Sequence, residues 1–335
     1  MEIRARELQT RTHMSIPHRK KLASILAFRE IGIFIALLLL AFGFALTIPN
    51  FGTIDNLSVV IRQFSFIAIV ALGQTLVLIT GGIDLSVGAV GGLTGILSAW
   101  LMVNTSINPW ICICLGMLAG MLCGLINAVL VTKIGLNPFV VTLGTMQIFS
   151  GLIMVITQGW AIVRLPECVF VLGRGSLIGI PMPIVIMVTI SFMIDFMLWH
   201  SVFGRHLYAT GGNEEAARLV GIRTDLIKGM AYILSGLLAS VAGIVMVARL
   251  TSGQPTVGDN WVLPSVAAAV IGGTALSGGE GTVFGTILGA ALMGVLSNAI
   301  VLAGVSPYWQ NVIIGIALLL AVIIDILRNK LGSRV

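Results

Sequence analysis

The stretch IGIFIALLLLAFGFALTI, residues 31–48, runs eighteen residues without a charge. A helix needs about 20 mostly apolar residues to cross the hydrocarbon core of a bilayer. Working outward from it, further apolar runs lie near 64–80, 87–103, 109–131, 138–157, 180–199, 229–248, 262–276, 283–303 and 308–327, the eighth of the ten being short and weak. Hydrophobic residues make up 57% of the 335-residue chain and charged residues 10%, against roughly 45–50% and 25% in soluble domains. That excess cannot be buried in a water-soluble fold of this size, so the sequence predicts an all-α integral membrane protein of about ten transmembrane helices. The lipid bilayer is its first partner.

Charge sets the orientation. With the amino terminus inside, fifteen of the nineteen Lys and Arg fall on the cytoplasmic side, and only Arg62, Arg164, Arg174 and Arg249 fall outside, as the positive-inside bias requires. The net charge of +6 therefore reports membrane orientation and not nucleic-acid binding. Both termini read as cytoplasmic, with a basic tail over 1–30, a permease domain over 31–328 and a short tail over 329–335. The tail from Arg4 to Arg29 is too long and polar for a signal peptide, and no cleavage site follows the first apolar run. Two loops stand out, a cytoplasmic one at 200–228 and an outer one at 158–179.

Catalytic signatures are absent: no phosphate loop, no H-E-x-x-H and no G-x-S-x-G. Cys112, Cys114, Cys123 and Cys168 lack metal spacing, and the four histidines, His13, His18, His200 and His206, form no ligand set. No catalytic residue, metal site or cofactor is expected. Leu276–Glu280 reads LSGGE, the signature of ATP-binding-cassette ATPases, but its apolar flanks rule out a nucleotide-binding role. It echoes an earlier segment instead, since Gly81-Gly82-Ile83-Asp84-Leu85-Ser86 and Gly272-Gly273-Thr274-Ala275-Leu276-Ser277 share the frame GG-x-x-LS. Paired glycine-interrupted segments in two halves of a transporter point to its working region, while ordinary glycine-rich turns at membrane exits give the same pattern.

Asp84 sits between two apolar spans with no Lys or Arg within ten residues. An ionisable group at membrane depth is a functional candidate, and Asp is equally a helix cap, with Ser86 as the competing cap. Asp195 and Asp325 fall near the inner ends of their spans. Arg249 and Asp259 bracket a polar outer loop, Thr251-Ser252-Gly253-Gln254-Pro255. In the 200–228 loop, Asn213 is a helix cap, Glu214 and Glu215 suit the first turn, Ala216 and Ala217 favour helix, Arg218 suits the last turn and Gly221 is the stop. The result is a short cytoplasmic helix with Leu219, Val220 and Ile222 at its exposed end, shaped to dock in another protein's groove. Among forty glycines no single small-x-x-x-small face stands out as an oligomer contact.

GGIDLSVG at 81–88, NPFVVTLG at 137–144, GRHLYATGGNEEAARLVGI at 204–222, GLLASVAGIVMVARL at 236–250, QPTVG at 254–258 and GGTALSGGEGTVFGTILGA at 272–290 resemble, in order, the sugar-permease branch of bacterial ATP-binding-cassette importers, the branch that contains the ribose permease. The resemblance implies an inner-membrane permease that moves a monosaccharide or polyol. It implies three partners: a cytoplasmic ATPase subunit, a periplasmic sugar-binding protein, and a second permease copy or paralogue. Gly211, Gly212, Asn213, Glu214, Ala216, Ala217, Arg218, Leu219, Gly221 and Ile222 would then form the ATPase-coupling helix. Candidates for the translocation path are Gly81, Gly82, Asp84, Ser86, Asn137, Gly272, Gly273 and Ser277. The competing readings are an ion-coupled secondary transporter, which would use Asp84 as its coupling acid, and a membrane-embedded enzyme, which lacks a catalytic constellation. Cysteines placed at positions 1–20 or 330–335 are expected to resist impermeant thiol reagents in intact cells, and external labelling of either end would overturn the even span count.

Overall fold

The computed structural model describes residues 17–306, 309–317, 319–320 and 323. The helices are α1 (Pro17–Thr47), α2 (Ile54–Ile79), α3 (Val87–Asn104), α4 (Pro109–Thr132), α5 (Pro138–Thr157), the single turn α6 (Val171–Arg174), α7 (Met182–His200), α8 (Val202–Gly212), α9 (Glu214–Leu219), α10 (Thr224–Leu250), α11 (Val262–Ile271) and α12 (Val283–Leu302). Helical backbone resumes at 309–317. Strands β1 (Ser176–Leu177) and β2 (Ile180–Pro181) form an antiparallel hairpin in the outer loop. Residues 1–16 of the expected amino-terminal tail, the carboxy-terminal tail and eight of the twenty residues of the expected tenth span, Asp325 among them, lie outside the described residues, while 17–30 of the expected tail form the start of α1.

Starts of these helices are written locally. Asn108 and Asn137 each precede a proline, and each side chain accepts a bond from the backbone N–H two residues on, Trp110 and Phe139, at 2.9 Å. Proline has no N–H to lose at the first helical position, so Asn-Pro sets a clean N-terminus for α4 and α5. Thr53 and Thr282 cap α2 and α12 by accepting from the backbone N–H three residues on, Asn56 and Gly285.

Among the described residues eight helices are long and apolar enough to span a bilayer: α1, α2, α3, α4, α5, α7, α10 and α12. The eighth expected span, 262–276, is corrected. Its helix is α11, which stops at Ile271 after ten residues, about 15 Å at 1.5 Å per residue. The remainder of the crossing comes from 251–261, the segment read from sequence as an outer loop. A Cβ on Gly253 would lie 3.0 Å from Ala99 and 3.1 Å from Ile96, while Gly258 packs against the backbone of Gly88. Residues 253–258 therefore descend along α3 from Ala99 to Gly88, about 16 Å of helix. This stretch is half turns, with Val257, Asp259 and Trp261 N–H bonded to the carbonyls three residues back, and half helix.

The centre of the fold is α10, which packs on α4, α3 and α2, while α11 and α12 pack on each other and on α2. Lipid gives helices no hydrophobic reason to associate, so close backbone packing must do it. Gly116, Gly120 and Gly124 form a stripe along α4 that escaped the sequence reading. The stripe is used within the chain: Gly120 meets the Gly236 carbonyl and Gly124 the Tyr232 carbonyl, both on α10. Gly236→Val forces a side chain into the Gly120 carbonyl and is expected to cost about 1–3 kcal/mol of overpacking, read as a lower melting temperature in detergent. Gly144→Ala, which meets no neighbour within 4 Å, is the control and should melt no lower than the unaltered chain.

Candidate functional site

At one end of α10 the chain forms a tight helical corner. Asn213 closes α8 and opens α9, its side-chain oxygen accepting from Ala216 N–H at 2.9 Å. Glu214 pairs with Arg218 one turn on at 3.0 Å and with Lys228 of α10, and Arg218 also reaches Asp225 at 3.0 Å and the Thr224 hydroxyl at 2.8 Å. Burial alone would favour protonated Glu214, but the hydrogen bond and charge of Lys228, with Thr224 and Arg218, hold its carboxyl below the usual range. The far end closes with paired bonds, Gly221 N–H to the Arg218 carbonyl and Ile222 N–H to the Ala217 carbonyl, both at 3.0 Å. This is the Schellman arrangement, which needs a left-handed residue after the cap; Gly221 supplies it at φ +87°.

Ala217 anchors the inner face of α9 in the core, while Leu219 and Val220 are 88% and 77% exposed. Ile222, expected from sequence to be exposed with them, is corrected: it is half-buried and packs against the main core. Two apolar side chains thus project from a helix pinned by ion pairs to the first turn of α10.

The two glycine-rich segments meet beside this corner. Gly279 N–H donates to the Ile79 carbonyl at the end of α2 at 2.8 Å. Gly211 lies against that same carbonyl and Gly279, close enough that a Cβ on it would collide with both. A Cβ on Gly81 would sit 3.6 Å from the Ser277 carbonyl, and the Tyr208 hydroxyl of α8 donates to the Gly281 carbonyl at 2.8 Å. Gly81, Ser277, Gly211 and Gly212 therefore belong to one junction. Gly272 and Gly273 sit a few residues away in the turn that ends α11, with Gly272 against Gly285 of α12. Asn137 stands apart as the cap of α5.

Asp84 lies deeper and is 1% exposed. One carboxylate oxygen accepts from Ser86 N–H at 3.0 Å and the Ser86 hydroxyl at 2.6 Å, and the other accepts from the Ser235 hydroxyl of α10 at 2.9 Å. Asn127 of α4 donates to the Ser86 hydroxyl at 2.8 Å, and Thr145 of α5 donates to Asn127 at 2.8 Å. The Gln74 amide of α2, oriented to suit its neighbours, donates to the Asp84 carbonyl at 3.0 Å and accepts from Asp84 N–H at 3.3 Å. Tyr232 donates to the Ile83 carbonyl at 3.2 Å. Ser86 holds the N-cap position of α3 but makes no capping bond with its side chain, because its hydroxyl is given to Asp84. The chain break at 80–86 is thereby fastened to four helices through neutral hydroxyls and amides.

At the opposite end of α10, near Met246, lie two adjoining cavities of about 160 and 200 Å³ that share Met246, Asn260 and Trp261 in their walls. Gln63, Phe64, Phe66, Ser297 and Gln310 complete the polar and aromatic lining of the first, Gln254 and Thr256 the polar lining of the second. None of the path candidates named from the sequence lines either cavity; Met246, Leu250, Gln254, Thr256, Val257 and Gly258 fall in the family-like stretches 236–250 and 254–258, which nothing in the sequence placed on the path, and Gln63, Asn260, Trp261, Ser297 and Gln310 fall in no such stretch.

A family profile described as branched-chain amino acid transport system / permease component matches residues 56–322. Ribose import permease protein RbsC of Escherichia coli (strain K12) is 41% identical over 295 residues, which cover 87% of this chain and 92% of that protein. RbsC of Bacillus subtilis (strain 168) is 41% identical over 300 residues, covering 89% and 92%. The L-arabinose transport system permease protein AraH of Escherichia coli (strain K12) is 36% identical over 301 residues, covering 90% and 92%. No solved structure gives a significant match.

Asp84→Ala strands the Ser86 and Ser235 donors in the core, and a buried donor left unmade costs about 1–3 kcal/mol. The expected result is a clear drop in detergent melting temperature. Ser235→Ala, which removes one donor, should lower it by less.

Proposed function

This chain belongs to the family of branched-chain amino acid transport system permease components, and from that premise we propose that it is the membrane subunit of an ATP-binding-cassette importer for a ribose-like monosaccharide or related polyol. The sugar follows from the relatives, whose names specify ribose and L-arabinose. The observation that carries the mechanism is α9, capped at both ends, ion-paired to the start of α10, and presenting Leu219 and Val220 uncovered among the described residues.

In this reading α9 is the coupling helix and seats in a groove of a cytoplasmic ATPase subunit, with Gly211 to Ile222 as the coupling segment. ATP is bound and hydrolysed on that separate chain. Closure of the ATPase pair moves α9, and the ion pairs of Glu214 and Arg218 pass the displacement to α10. Transport then requires only that the solute and nucleotide stabilise the outward-open and inward-open states differently. A periplasmic binding protein delivers the sugar to the opposite face, and a second permease copy or a paralogue completes the channel. Orientation follows the charge distribution, with α9 and both termini cytoplasmic in an inner membrane, a tail over 1–30, the permease over 31–328 and a short tail over 329–335. An ion-coupled mechanism would need Asp84 free to exchange its charge partner, whereas both its oxygens are engaged.

The test is purification of the chain in mild detergent from its host, with identification of co-purifying chains and assay of ATP hydrolysis. An ATPase subunit stimulated by a sugar-loaded binding protein is the expected outcome. Absence of such a partner, with uptake that collapses when the proton or sodium gradient is dissipated, would overturn the proposal. Changing Leu219 and Val220 together to Asp should abolish co-purification of the ATPase while leaving the amount of chain in the membrane unchanged.

A further inference from the structure

Residues 251–261 carry non-helical backbone through the membrane, which is tolerated only where protein covers it or water lines it. One face is covered: Gly253, Val257, Gly258 and Trp261 are buried, with Gly253, Val257 and Gly258 against α3. The other face presents Gln254, Thr256, Asp259 and Asn260, all exposed. Amides, a hydroxyl and a carboxylate at this depth belong against water or a polar solute, because facing lipid leaves their hydrogen bonds unmade.

Gln254, Thr256 and Asn260 open onto the two cavities, whose remaining polar lining is Gln63, Ser297 and Gln310, and the aromatic residues in their walls are Phe64, Phe66, which Arg249 overlies, and Trp261. No charged side chain lines either cavity. Amides both donate and accept, which suits neighbouring sugar hydroxyls, and an indole offers an apolar face to the C–H side of a sugar ring. Small-molecule sites commonly pair such apolar walls with a few convergent polar groups. The position is 22 residues along α10 from Thr224, counted to Met246, about 33 Å from the coupling corner.

Resting on the permease reading above, we propose that Gln254 and Asn260 of the turn-rich half-span, with Gln63 and Trp261, form the outer sugar-contacting stretch of the translocation path, its amides matched to the hydroxyls of a polyol.

The experiment uses the full chain with Cys114 and Cys168 changed to serine, carrying Gln254→Cys or Asn260→Cys and reconstituted with its ATPase subunit and binding protein. It is probed with a water-soluble methanethiosulfonate, with D-ribose and L-arabinose as solutes. Both new thiols should react at least tenfold faster than Phe192→Cys, which is exposed on the membrane-spanning surface of α7. A saturating pentose should slow the reaction at least twofold, and modified Asn260→Cys should lose pentose uptake. Trp261→Ala should lose uptake at least tenfold, and Trp261→Phe, which keeps an apolar ring face, should lose less. Labelling no faster than at Phe192→Cys would mean that lipid or a second copy covers this face, and would overturn the proposal. Rapid labelling that neither responds to pentose nor impairs its uptake would overturn it as well, leaving the permease reading intact. If the unaltered complex shows no ATP-driven pentose uptake, the permease reading falls and the sugar site with it.

Discussion

Backbone that leaves the helix inside a bilayer has no water to bond, so each such break needs partners supplied by the protein. Between α2 and α3 that demand is met by Asp84 and its neighbours. The carboxylate ties the break to α10 through Ser235, Gln74 of α2 clasps the Asp84 peptide, and Asn127 and Thr145 extend the network to α4 and α5. A buried carboxylate without a cation is costly unless hydrogen-bonded throughout, and here three donors meet it. The same residues that make the break tolerable also fix where α3 begins, and α3 is the wall along which the turn-rich half-span 253–258 descends.

What was legible in the sequence is what local chemistry determines. The α9 corner could be read almost residue by residue, because caps, first-turn acids and a stop glycine act within a few positions of one another. Ile222 was misjudged because its burial depends on packing against distant helices. Asp84 announced itself by its isolation from cations, yet neither candidate role described it fully: it bonds Ser86 within the turn, and its second oxygen is held by Ser235, 151 residues away. The 251–261 segment was misplaced for a physical reason. Its Thr-Ser-Gly-Gln-Pro run has the composition of a solvated turn, and hydropathy cannot distinguish polar chain at the surface from polar chain lining an interior path.

The two glycine-rich echoes show how a weak pattern can be spatially meaningful. Six shared positions do not establish duplication, but the fold brings Gly81 and Ser277 into one junction beside Gly211. Three peptide segments cross there with no side chain between them. The corner at α9 is therefore in direct backbone contact with the end of α2 and the loop preceding α12, besides its ion pairs to α10.

The glycine stripe of α4 has a bearing on how the molecule is made. Its partner helix α10 begins about ninety residues after α4 ends, so on a growing chain α4 enters the bilayer well before Tyr232 and Gly236 have been synthesised. During that interval Gly116 already has Thr94 and Ser98 of α3 to pack on, while Gly120 and Gly124 still lack the α10 backbone that meets them. The order of insertion thus leaves the central seam open until late in biogenesis, and its closure by α10 is the step that commits the two halves of the chain to a single body.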